Sequence, residues 1–285
     1  MLKRKIDKYL ENWLNERKTT LLIKGARQIG KTFSVVEFAR KNFTHFININ
    51  FAERTDLIDM FAQLRNSEQL IVNLSTIDGQ NMVEGETLIF FDEIQLLYQR
   101  RDDLKNAGKL DLNSQDIITA MKTISILGKY RVILSGSLLG TEVKDIVLSP
   151  LGYQDEYQMF PLDFEEFLWA KGVGEESISY VRKCFEDKQE VPDSINQMYL
   201  NYFREYVLIG GMPEAVTAYI ETLNLHKVQL SQEQITSKYT YDITTYIKDE
   251  AKKLRVRDIF NSMPAELNSK NKRFVSTHVV EPSFL

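Results

Sequence analysis

GARQIGKT, residues 25–32, is the stretch whose reading decides the fold. It satisfies G-x-x-x-x-G-K-[ST], with Gly25, Gly30, Lys31 and Thr32 at the fixed positions. A loop of this pattern wraps phosphate groups with backbone N–H donors. Glycine is needed where a Cβ would clash or where φ must be positive. The helix that starts at Lys31 aims its positive dipole end at the same anion. In such loops the lysine, here Lys31, reaches the β- and γ-phosphates, and the hydroxyl, here of Thr32, is a magnesium ligand. Ala26, Arg27, Gln28 and Ile29 complete the loop and Phe33 follows it, so all five are candidate nucleotide contacts. Chance occurrence in a chain of this length runs at about one in a hundred. An apolar strand before the loop and a helix after it lower that further. The pattern predicts binding of ATP or GTP.

Working outward, residues 19–24 (TTLLIK) form a strand candidate ahead of the loop, and a helix runs from Lys31 to about Lys41. Further strand candidates are residues 45–50 (HFININ), 87–92 (TLIFFD) and 131–135 (RVILS). The last two are apolar at consecutive positions, the mark of strands buried on both faces of a parallel sheet. Between them, residues 116–127 place Ile117, Ile118, Met121, Ile124 and Leu127 on one helical face. The alternation predicts an α/β fold, a parallel sheet with helices on both faces. Residues 99–115 (QRRDDLKNAGKLDLNSQ) are charged and poor in large apolar side chains, and read as an exposed loop. Beyond Gln158 the character turns helical. Asp163 with Glu166 makes a capping box that opens a helix ending at Ala170, before Gly172. Helical periods then cover residues 175–186, 194–209, 213–223 and 231–248. The expected division is a P-loop domain over residues 1–160 and a helical lid region over 161–285.

LIFFDE, residues 88–93, delivers two adjacent carboxylates to the end of an apolar strand. The carboxyl ends of strands are where α/β sheets bind ligands. Asp92 is therefore a candidate magnesium holder, and the metal would bridge the β- and γ-phosphates. Glu93 is the candidate general base for an attacking water. The adjacent acid pair favours hydrolysis over transfer to a second substrate, as in a P-loop kinase. Ser135, at the end of RVILS, reads either as a sensor of the γ-phosphate that holds the lytic water or as a strand-end turn.

The 285 residues are 43% hydrophobic and 27% charged, ordinary for a globular protein with a sizeable core. The net charge of −4 lends no support to a protein dominated by nucleic-acid binding. Lys3, Arg4 and Lys5 are followed by Asp7, Glu11 and Glu16 rather than an apolar run, so no secretory signal is expected. No stretch approaches the roughly 18 apolar residues of a membrane helix. A single cysteine, Cys184, cannot form an internal disulfide. A cytoplasmic location with no membrane partner is the expectation.

GARQIGKT, FFDEIQ, SGSLLG, PLDFEEFLWA and GGMPEAV, in this order, resemble the prokaryotic AAA-type ATPases that carry a C-terminal domain of unknown function, relatives of archaeal and STAND-type ATPases. The resemblance covers about residues 10–273. It implies that GARQIGKT is a Walker A loop, that Asp92 and Glu93 close Walker B, and that Ser135 occupies the sensor position. It also implies adenine as the base, and no guanine-specifying N-K-x-D pattern argues otherwise. In GGMPEAV the glycines can end one helix, with Pro213 at the first position of the next. Similarity to STAND-type ATPases gives Pro213 a compatible second role, packing a helical lid against the nucleotide. Family members typically continue beyond this length, so a truncated C-terminal domain is expected.

The resulting expectation is a Mg²⁺-dependent ATPase that remodels or regulates an unknown protein or nucleic-acid client, with homo-oligomerisation possible. The alternative is a STAND-like switch that binds ATP or ADP and signals with little turnover. Arg100, Arg101 and Arg131 are available as an arginine finger, but no spacing singles one out. His45, His226 and His278 lack metal-ligand spacing. The basic stretches 248–257 and 270–273 are diluted by Asp249, Glu250 and Asp258, and read as a solvated face.

Overall fold

The computed structural model describes residues 2–17, 19–78, 82–111, 113–115, 117–126, 128–137, 154–246 and 249–268. Five parallel strands form one sheet: β1 (Thr20–Lys24), β2 (His45–Asn50), β3 (Thr87–Asp92), β4 (Arg131–Gly136) and β5 (Gln154–Gln158). Their spatial order is β2-β3-β4-β1-β5. After β1 the chain crosses to the far edge, returns through β3 and β4, and then places β5 on the other side of β1. Strand β4 therefore lies between the strand that feeds the glycine-rich loop and the strand that carries Asp92.

Every residue of β1 and β3 is buried, as continuous apolar runs in a sheet covered on both faces should be. The two-residue period sorts them between two cores. Ile89 and Phe91 join a cluster with Phe51, Phe61, Leu70, Met121 and Leu134 on one face. Leu88 and Phe90 join Leu10, Trp13, Ile23, Val35 and Phe38 on the other. Phe51 stacks on Phe91 with ring centroids 5.6 Å apart, and Phe61 meets Phe91 edge-on at 5.4 Å.

Helices α1 (Lys5–Glu16) and α2 (Lys31–Asn42) cover the second face with Ile6, Leu10, Trp13, Val35 and Phe38. On the first face lie α3 (Ile58–Ala62), α4 (Ser67–Asp78), α5 (Gln95–Asn106) and α6 (Ile117–Ile126). Helix α5 corrects one expectation, because residues 99–106 of the segment read as a loop are helical. Its only buried apolar residues are Leu97 and Leu104, seven positions apart. Ion pairing and carbonyl contacts tie down the rest: Arg100 pairs with Asp59, and Arg101 donates to the carbonyls of Ala62 and Gln115. Leu96, Leu97 and Tyr98 pack on the core ahead of that segment, and within it Leu104 is the one buried apolar residue of the helix, too few to create a visible period. Strand β5 (QDEYQ) also escapes the apolar-run criterion. It is an edge strand held by the β1 ladder and by a 2.5 Å Lys24–Glu156 ion pair.

The chain divides into two compact units, Met1–Ile220 and Glu221–Leu285. Besides the sheet, the first contains α7 (Phe164–Ala170), α8 (Glu175–Glu186), α9 (Asp193–Ile209) and the body of α10 (Pro213–Thr222). Asp163 caps α7 through Glu166 as the capping box predicts. The second unit contains α11 (Leu225–Tyr246) and α12 (Glu250–Asn268), which pack on one another. Asp116, Leu127, Lys248, residues 138–140 of SGSLLG, the basic residues 270–273 and His278 lie outside the described residues.

Candidate functional site

The loop 25–30 leaves the carboxyl end of β1 and turns into α2 at Lys31. Gly30 sits at φ 94°, the left-handed region that favours glycine, and Gln28 adopts φ 62°. At Gly25 the constraint is close approach, since a Cβ there would stand 2.4 Å from the Met159 carbonyl oxygen. The amino end of α2 has no side-chain cap, so its first N–H groups are left for an anion. Lys31 is 5% exposed, and its ammonium donates to the carbonyls of Gly25 (3.0 Å) and Ala26 (2.8 Å). Burial draws the Lys31 ammonium below its ordinary pKa, against the opposing pull of Glu93 and Asp92. Phe33, on the next residue but one, is exposed.

Asp92, at the end of β3, is 2% exposed and fully engaged. Its Oδ2 accepts from the Thr32 hydroxyl at 2.5 Å, and its Oδ1 accepts from the Ser135 hydroxyl and from the Glu93 amide at 2.9 Å. The strand order explains this meeting. Strand β4 separates β1 from β3, so Ser135 stands between the loop and the acid and reaches Asp92 sideways. Thr32, Asp92 and Ser135, far apart in sequence, thus converge at one point on the carboxyl edge.

Glu93 leaves the strand with φ 57°, a left-handed conformation unusual for a side chain of this kind. Such a residue costs of order 1–2 kcal/mol and persists where its surroundings over-determine it. Here they do: the Gln95 carboxamide donates to Glu93 Oε2, and the Arg27 guanidinium lies 3.7 Å from the same oxygen. Gln95 is 5% exposed and also reaches the Ser137 hydroxyl at 3.3 Å.

Pro213 opens α10, and its Cγ lies 3.9 Å from the place a Gly30 Cβ would occupy, beside Arg4 Nη1 and Met159 Cε. Gly211 is pressed against Leu162, whose amide donates to the Gly211 carbonyl at 2.7 Å. A Cβ on Gly211 would stand 2.1 Å from the Leu162 oxygen, so the glycine is required by proximity. The three candidate fingers are engaged elsewhere, Arg100 and Arg101 as above and Arg131 on the carbonyls of Arg17 and Leu14. Sequence reasoning missed Gln95, Arg4 and Glu166 as neighbours of the loop. Gln95 lay in plain view two positions after Glu93. Nothing in the sequence points to Arg4, which reads as one of three N-terminal basic residues.

The donor set fits a magnesium nucleotide. Thr32 and Asp92 bring a hydroxyl and a carboxylate together, hard oxygen ligands of the type Mg²⁺ takes alongside phosphates and water. The uncapped helix end and the loop glycines offer the anion its cradle.

A parallel sheet with this loop at its carboxyl edge defines a P-loop nucleotide-binding protein. The chain belongs to the AAA domain family, whose model matches residues 17–168, just over half of it. A second model, a domain of unknown function (DUF8612), matches residues 200–279. The chain is 28% identical over 196 residues to the uncharacterized protein MJ1544 of Methanocaldococcus jannaschii. That alignment takes in 68% of this chain and 35% of the relative, so the chain matches about a third of that protein's length. Among solved structures, it is similar to PCH-2 of C. elegans at 13% identity and TM-score 0.41, covering 82% of this chain and 67% of that one. Nucleotide-bound DnaA from Aquifex aeolicus aligns at 12% identity and TM-score 0.41, over 95% and 83%. Among the described residues no helix is long and apolar enough to cross a membrane.

Proposed function

We propose that the chain binds ATP with Mg²⁺ at the loop 25–32 and hydrolyses it, as a cytoplasmic ATPase whose turnover remodels or regulates a protein or nucleic-acid client. The observation that carries this reading is the convergence of Thr32, Ser135 and the Glu93 amide on Asp92, directly beside Lys31. In the proposed division, residues 1–160 bind the nucleotide and 161–285 act as a helical lid with the start of a C-terminal domain, Pro213 packing against the bound nucleotide.

A bound Mg²⁺ would supply positive charge that offsets the charge developing on the phosphates. Lys31 turns its ammonium from the Gly25 and Ala26 carbonyls to the phosphate oxygens. Its burial strengthens that contact by excluding water. Thr32 and Asp92 would hold the metal, and Ser135 keeps the Asp92 carboxylate turned toward the loop. Residues 26–30 would present backbone N–H groups to the phosphates, and Phe33, exposed near the start of α2, would contact the nucleotide. Glu93 takes the proton of the attacking water, and Gln95 aims its carboxylate.

A second reading is a nucleotide-gated switch with little turnover. It is favoured by the engagement of Glu93 with both Gln95 and Arg27, and by the anchoring of Arg100, Arg101 and Arg131 away from the site. A finger would then come from a neighbouring copy, which is one reason to expect a homo-oligomer.

The test is phosphate release from ATP with and without Mg²⁺, for the wild type beside Glu93→Gln, over a range of protein concentrations. Turnover that requires Mg²⁺ and Glu93 supports the ATPase, and a rise per molecule with concentration supports completion by a neighbour. Tight ATP binding without turnover moves the assignment to the switch. Turnover by Glu93→Gln at the wild-type rate overturns the role of Glu93.

A further inference from the structure

Arg4 is the residue that neither family motif nor spacing marks, yet it touches the phosphate loop. Its guanidinium is almost wholly buried, and its three nitrogens go to three separate segments. Nη1 donates to the Ile29 carbonyl in the loop at 2.8 Å, and Nη2 to the Phe160 carbonyl after β5 at 2.7 Å. Nε lies 3.1 Å from Glu166 Oε1, with both side chains less than a tenth exposed. Glu166 also holds two backbone amides: Oε1 accepts from Lys5 at 2.7 Å, and Oε2 from Asp163 at 3.2 Å.

Buried ion pairs of this kind add little net stability, because desolvation offsets the attraction. What distinguishes this one is its target. The chain has no cis peptide bond among the described residues, and in a trans peptide the C=O and N–H point in opposite directions. Holding the Ile29 oxygen toward Arg4 therefore turns the Gly30 N–H away from it. Gly30 has no Cβ to resist rotation of that peptide, so its orientation is not fixed locally. A guanidinium whose Nη2 and Nε are held by Phe160 and Glu166 aims its Nη1 at that carbonyl and fixes it from outside, where a lysine ammonium would lack the planar set of donors that holds the group in place.

We propose that Arg4 is a positioning residue for nucleotide binding: it sets the Ile29–Gly30 peptide so that the Gly30 N–H is presented to the phosphates, and its Glu166 and Phe160 contacts hold it in place. This rests on the reading of the loop as the nucleotide site. It also gives the amino-terminal residues ahead of α1 a part in a site that is otherwise built from residue 25 onward.

The experiment measures the dissociation constant of Mg-ADP by calorimetry, at a temperature where circular dichroism shows every variant folded. Arg4→Met alone would strand the Glu166 carboxylate, so the variant used is Arg4→Met with Glu166→Met, and Arg4→Lys serves beside it because it keeps the charge. Both are expected to weaken ADP binding about tenfold or more, the double variant also with a lowered melting temperature because the Lys5 and Asp163 amides lose their Glu166 acceptor. Binding within twofold of wild type in either folded variant overturns the proposal and leaves Arg4 a structural staple. Failure of the wild type to bind ADP would overturn the nucleotide reading itself, and the proposal with it. Binding by the wild type and its loss in Lys31→Ala establish that reading independently of Arg4.

Discussion

The carboxyl edge of the sheet and helix α12 use the same polypeptide chemistry to opposite ends. At the edge, Asp92 and Ser135 are polar groups only 2% and 0% exposed, and each is matched with a partner. Along α12 no described residue is buried at all, and Leu254, Met263 and Leu267 stand in the open. Buried polar groups cost free energy unless satisfied, so the edge admits one arrangement and punishes departures from it. An exposed helix face carries no such constraint. The difference predicts that single substitutions act sharply and specifically at the edge, and weakly along α12.

The largest effect should follow from removing the charge of one acid while keeping its shape. Glu93→Gln is expected to lower kcat by about 10²- to 10⁴-fold, the range of a lost general base, with ATP affinity within threefold of wild type. Single-turnover phosphate release and a binding isotherm separate the two quantities. An equal loss of affinity would instead place Glu93 among the binding groups. Lys31→Ala comes next. Loss of a charged donor to phosphate is worth about 1.5–3 kcal/mol per bond, so ADP should bind about 100-fold more weakly. Calorimetry checks this, and retained affinity would show that the loop binds without its lysine.

How much of this was legible beforehand depended on where the information lies along the chain. Residues 25–32 and 88–93 could be read because each carries its whole pattern within one short run, an apolar strand followed by the residues its end must present. The convergence of Thr32, Ser135 and Asp92 was only half legible. The three residues could be named, but the order that sets β4 between β1 and β3 is a long-range property. Arg4 and Glu166 lie 162 positions apart, and their pairing exists only after folding. Helix α5 and strand β5 were hidden for a different reason. Both are anchored by ion pairs and backbone ladders more than by apolar periodicity, and hydrophobic pattern is the signal that sequence reading weighs first.

A third substitution tests whether the sharpness of the edge extends to its supporting turns. Gly211→Ala adds one carbon, directed at the Leu162 oxygen 2.1 Å away, where that residue is already bonded to Gly211 and to the Tyr206 hydroxyl. The backbone of one segment must move, at a cost of about 2 kcal/mol, or a melting temperature lower by roughly 4–8 °C. Thermal unfolding followed by circular dichroism reads it directly. An unchanged melting temperature would show that the turn between α9 and α10 yields freely.

The smallest effect belongs to α12 and bears on the other half of the comparison. Leu254 is 48% exposed, and replacing it with serine removes apolar surface that is already largely in water. Surface changes away from caps and buried networks usually stay within about 0.5 kcal/mol, so Leu254→Ser should leave the melting temperature of the chain nearly unchanged. Helix propensity falls slightly from leucine to serine, which sets the expected sign as destabilising. The same measurement repeated across protein concentrations sharpens the contrast. A penalty well above 1 kcal/mol that grows with concentration would mean that α12 is covered in solution, and its openness would then describe the isolated chain alone. A small, concentration-independent shift would leave the two regions as they stand, one fixed by matched buried polar groups and the other a helix that packs on α11 and buries none of its side chains.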